Sequence, residues 1–141
     1  PLDFAFSTRA PGPWRRSAWR AHVKSSRMTL DLDTFEARYP DAADFIPVLE
    51  QIRAAVAPAP VHVFPLEDTA SRPLGPADPI IALMGLGAQR HGQLRPHRPV
   101  NRALPPEITE KLLALNRGTA DDETLRADKA ALLAPFLTED A

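Results

Sequence analysis

Two stretches of this chain hold the side chains that suit chemistry with anions or aromatic groups. The first runs from Asp3 to Asp31 with no acid between them, and carries Arg9, Arg15, Arg16, Arg20, Lys24 and Arg27. Both tryptophans, Trp14 and Trp19, sit inside it. Guanidinium groups donate in a fixed fork that matches carboxylate and phosphate, and indole rings stack on bases or anchor protein interfaces. Trp14, Arg15, Arg16, Trp19 and Arg20 are therefore the expected contact residues of a basic arm. The second stretch, residues 90–102, offers Arg90, His91, Arg95, His97, Arg98 and Arg102. Pro96 and Pro99 hold it extended, which lowers the entropy lost on binding. Its plain alternative is a solvated linker.

Other groupings lack a partner of the right type. Gly87 and Gly92 have the spacing of a phosphate loop, but Gln93 and Leu94 follow where Lys and Ser or Thr are needed. His91 and His97 are six apart, not the three or four that place two ligands on one helix face. Asp31, Asp33 and Glu36 lack the glycine turn and last glutamate of a calcium loop. Ser71 and Thr69 lie near His62 only in sequence, and no nucleophile elbow is present. No metal, cofactor or catalytic residue is assigned on these grounds. An enzyme whose site assembles from distant residues is the remote alternative.

The elements that must position these residues are short. Sixteen prolines in 141 residues interrupt long helices and strands. Residues 14–24 tolerate a helix that would be marginal alone. Asp33 or Thr34 is the expected cap of a short helix stopped by Pro40, and Asp41 or Asp44 that of one reaching Ala57, with Phe45, Val48, Leu49, Ile52 and Val56 on one face. Residues 58–77 and 88–103 read as irregular connections, with 61–64 a short extended piece. Asp78 and Pro79 open an apolar helix over 80–86 that must be buried or meet a partner, with Gly87 its stop. Pro105 and Pro106 open the next, with a stripe of Leu104, Ile108, Leu112 and Leu115. Thr119 is the expected cap of the last, whose apolar side is Leu125, Leu132, Leu133 and Phe136 and which Pro135 helps to end. The short link between these two implies an αα-hairpin.

The expected fold class is thus mainly α: four to five short helices, long proline-rich connections and a C-terminal αα-hairpin. The expected organisation is a basic arm at 1–30 and a single small helical domain at 31–141. Aromatic content of 6% leaves a core of Ala, Leu, Ile and Val. No cysteine is present, which excludes disulfides and thiolate ligands. No apolar run approaches the roughly 20 residues of a membrane span.

A net charge of −1 conceals alternating blocks. Residues 1–30 hold six cations and one acid, 31–78 nine acids and three arginines, 79–106 four arginines and no acid, and 107–141 eight acids and four cations. Such blocks attract one another within a chain or between chains. The composition shifts at Met28, whose following residues read as an ordinary protein start. Residues 1–27 then read as an upstream extension or, being Arg-rich and acid-poor, as a mitochondrial transit peptide. The expected location is cytoplasmic, or mitochondrial in the second case.

These features favour a non-enzymatic protein-binding accessory subunit, adaptor or regulator, with a protein partner or self-association. The alternative is a nucleic-acid-associated protein contacting phosphates through the same two basic segments.

Overall fold

The computed structural model describes residues 2–86, 88–95 and 103–137. It is mainly helical with one small sheet, in the order β1 (Phe4–Thr8), α1 (Pro11–Ser25), α2 (Leu32–Arg38), α3 (Ile46–Val56), β2 (Val61–Pro65), α4 (Leu66–Thr69), α5 (Ala77–Leu83), α6 (Ala88–His91), α7 (Pro106–Gly118) and α8 (Asp122–Leu137). The chain divides into two compact units: Pro1–Trp14 with Asp41–Arg98, and Arg15–Pro40 with Pro99–Ala141. The division splits residues 1–30 between the two units.

In the first unit β1 and β2 pair in parallel, with Phe4 opposite Val61 and Phe6 opposite Val63. The piece at 61–64 is therefore a strand, and α4 and α6 add single helical turns where irregular chain is expected. The Glu67 carboxylate accepts from Ala10 N at 3.1 Å, and Trp14 meets Phe45 edge to face at 5.7 Å. Asp44 Oδ1 accepts from Ile46 N at the start of α3. The apolar helix ends earlier than expected, at Leu83, where Gly85 takes a φ of +66° that a side chain would resist. Asp78 is not its cap but lies in its first turn, accepting from Leu74 N at 3.2 Å.

The second unit holds the core. Trp19 and Val23 of α1, Phe35 of α2, Ile108, Leu112 and Leu113 of α7 and Leu133 of α8 pack together, with Leu112 and Val23 fully buried. Asp31, two and three residues before the expected caps Asp33 and Thr34, closes the first turn of α2 by accepting from Thr34 N at 2.8 Å. Asp121, not Thr119, does the same for α8 by accepting from Thr124 N at 2.7 Å. Thr119 instead ends α7, its N–H donating to Leu115 O. α7 and α8 pack as the αα-hairpin, and α8 runs through Pro135 to Leu137. Among the described residues no helix is long and apolar enough to cross a membrane.

Candidate functional site

The basic arm folds, and its groups divide by role. Trp19 is 9% exposed, and its indole N–H donates to Leu30 O at 2.8 Å, so it is a core residue. Trp14 is half-buried against Phe45. Arg15 donates to Pro40 O at 3.2 Å. Arg16 is exposed and Arg20 half-buried, and neither forms an ion pair among the described residues. The sequence places Trp14, Arg15, Arg16, Trp19 and Arg20 together as contacts; of that set the structure leaves Arg16 exposed, while Arg20 is half-buried with its Nε enclosed.

The end of α1 is gripped by residues with no conspicuous motif. Lys129, 8% exposed, donates to the carbonyls of Val23 at 2.9 Å, Lys24 at 3.4 Å and Ser26 at 2.7 Å. Asn116, 1% exposed, donates to Val23 O at 3.1 Å and Met28 O at 2.8 Å. These carbonyls lie at or just beyond the last turn of α1, where no intrahelical donor remains and the helix dipole favours a cation. Burial nevertheless holds the Lys129 ammonium below the usual lysine value. Arg27 pairs with Asp122 at 2.9 Å and donates to Thr119 O. A cation of the first basic block thus meets an acid of the last acidic block. Arg117 donates to Thr29 O at 2.8 Å. The i, i+4 and hairpin patterns place Asn116 and Lys129 on helices, but only the approach of α1 identifies their acceptors.

The Arg/His segment is described only in part. Arg90 is exposed at α6. His91 Nε2 lies 3.1 Å from Asp78 Oδ1, and Asp78 is only 6% exposed. Arg95 folds back on its own turn, donating to Gly92 O at 2.8 Å and Leu94 O at 3.0 Å. His97, Arg98 and Arg102 lie outside the described residues. His62, on β2, faces Asp3 at 3.3 Å. Among the described residues no three His, Asp or Glu side chains are grouped as metal ligands would be.

Two open surfaces stand out among the described residues. In the first unit, Ile80, Leu83 and Met84 share a helical face at i, i+3, i+4 spacing and are 36%, 39% and 68% exposed. In the second, an open groove of about 630 Å³ runs along the α7–α8 hairpin, floored by Leu115 and Leu132 and flanked by Lys111 and Asp128. Comparison with known proteins returns no match: no family model fits the chain, and no curated protein or solved structure is similar to it.

Proposed function

We propose that this chain is a non-enzymatic protein-binding subunit or adaptor, and that α5 is its principal contact. The observation that carries this reading is the exposed face of Ile80, Leu83 and Met84. These three apolar groups lie side by side on a helix that is apolar on most of its circumference. Their exposed share, about a third of Ile80 and Leu83 and two thirds of Met84, forgoes the corresponding part of the roughly 1.5–3 kcal/mol that full burial of each contributes. Among the described residues of the first unit no large buried apolar cluster draws them in; Ile46 and Val48 are also exposed, at 66% and 52%. A partner with an apolar groove supplies the missing cover, and Met adapts its shape to such a surface. Isolation of the intact chain from its source at native abundance, followed by crosslinking and mass measurement, tests this. A single stoichiometric partner is expected, lost when Ile80→Glu and Met84→Glu are introduced together while the helical circular dichroism is kept. A chain that is recovered alone, or a variant that keeps the partner, removes α5 from the role.

A second reading has one observation in its favour. Arg16, Arg20 and Lys24 follow one another at four-residue intervals along α1, with no acid on that helix. Such a row neutralises phosphates, so the reading is nucleic-acid association through α1. Its test is binding to nonspecific DNA or RNA across a salt series. Micromolar affinity that falls steeply with salt and is lost in the triple alanine variant supports it; no binding at low salt ends it.

A further inference from the structure

The α7–α8 hairpin has a second stripe besides the one that fills its core. On α7, Lys111, Ala114, Leu115 and Gly118 recur at the i, i+3, i+4, i+7 spacing of one helix face; on α8, Asp128 and Leu132 continue the pattern one turn apart. The groove between them has an apolar floor and two charges of opposite sign, one from each helix. Both charged residues are exposed, and neither has an ion-pair or hydrogen-bond partner among the described residues.

We infer that this groove is the contact face of a homodimer. In a two-fold dimer, if residue i touches residue j, then j also touches i. A two-fold axis lying across the groove sets Lys111 of each copy against Asp128 of the other, so a single arrangement makes the same charge pair twice. An unrelated partner must present an acid and a base at matching positions; a second copy carries both. Ala114 and Gly118 keep the α7 rim low, which lets a second hairpin approach until the half-buried Leu115 and Leu132 lose their remaining water. The inference uses different residues from the α5 reading and does not depend on it.

The test is the oligomeric state of the full chain by sedimentation across the micromolar range. The wild type is expected to be a dimer. Lys111→Glu alone and Asp128→Lys alone each set like charges together twice, and each weakens the dimer by about tenfold or more. An equimolar mixture of the two variants regains it, because every facing pair in the mixed dimer is of opposite sign. That rescue also shows that each variant is folded. A wild type that stays monomeric, single variants that dimerise like the wild type, or a mixture that remains monomeric overturns the proposal. The Ile80→Glu/Met84→Glu variant is expected to dimerise normally, so failure of the α5 reading and failure of the dimer are read separately.

Discussion

Lys129 Nζ on the last helix donates to the carbonyl of Val23 on the first at 2.9 Å, across 106 residues of sequence. The same ammonium reaches Ser26 O at 2.7 Å, and Asn116 shares the Val23 carbonyl. One cation and one amide thus serve the carbonyls of Val23, Lys24, Ser26 and Met28 at and beyond the end of α1. Lys129→Met keeps most of the buried stem and removes its donors, leaving Val23 O with Asn116 alone and the part-buried Lys24 and Ser26 carbonyls without a protein donor, at an expected cost of about 1–3 kcal/mol. Asn116→Ala is expected to cost a similar amount. Urea unfolding of each variant measures this, and a loss under about 0.5 kcal/mol would show that water replaces the donors freely.

Trp19 separates a packing role from a contact role. Trp19→Phe keeps most of the ring and loses the bond to Leu30 O, so a destabilisation of about 1–3 kcal/mol is expected. Partner or nucleic-acid affinity of the folded variant should be unchanged. The reverse pattern, unaltered stability with lost binding, would return Trp19 to the contact set.

Leu112 is fully buried where α7 meets the core of its unit. Leu112→Ala is expected to cost about 2–5 kcal/mol, combining lost transfer energy with the cavity left behind. Thermal and urea unfolding report the loss. A cost below about 1 kcal/mol would mean that α7 can slide to refill the space.

Two caps give the protein part of its acid sensitivity. Hydrogen bonds from Thr34 hold the Asp31 carboxyl below its ordinary value, and bonds from Thr124 do the same for Asp121. The folded state therefore stays ionised to lower pH than the unfolded chain. The stabilisation is complete above the ordinary carboxylate value and is lost as pH falls through the lowered folded values. Asn is an equally good N-cap but does not titrate. Asp31→Asn/Asp121→Asn should therefore show a flatter fall in unfolding midpoint between neutral and strongly acidic pH. An acid limb identical to the wild type would assign it to other groups.

The Asp78–His91 contact is the local test of the first unit. Asp78 is buried, and His91 stands 3.1 Å from the oxygen that Leu74 N does not use. That oxygen forms no hydrogen bond among the described residues, so His91→Ala removes a close polar contact and not a bond, with an expected cost of up to about 1 kcal/mol. Hydrogen exchange at residues 74–83 should rise in the variant. Unchanged exchange would mean that solvent serves Asp78 as well as the imidazole does.

The αα-hairpin was legible because its signals are local. Proline at the start of α7, glycine at its end and apolar residues at helical spacing act within one or two turns. The mainly helical class followed for the same reason. Helix caps were legible only to within a few residues, since Asp31, Asp33 and Thr34 all offer an oxygen and backbone geometry chooses among them. The strand at Phe4–Thr8 has a readable clue in the alternation of Phe4 and Phe6 with small residues. Its partner, 57 positions on, is not readable, because parallel pairing joins segments with no local turn between them.

By itself the sequence determined that the chain is mainly helical, with its C-terminal hairpin, that the charges alternate in blocks, and that Trp14 and Trp19 lie in an acid-free run. Tertiary structure alone decided what those groups do. Trp19 faces the core while Arg16 faces solvent, because α1 lies against α7 and α8 by the side that carries Trp19 and Val23. Lys129 is a clasp and Lys111 an open charge, though both are lysines on the same hairpin. The difference is which face each occupies, and a helix face acquires a meaning only from what packs against it.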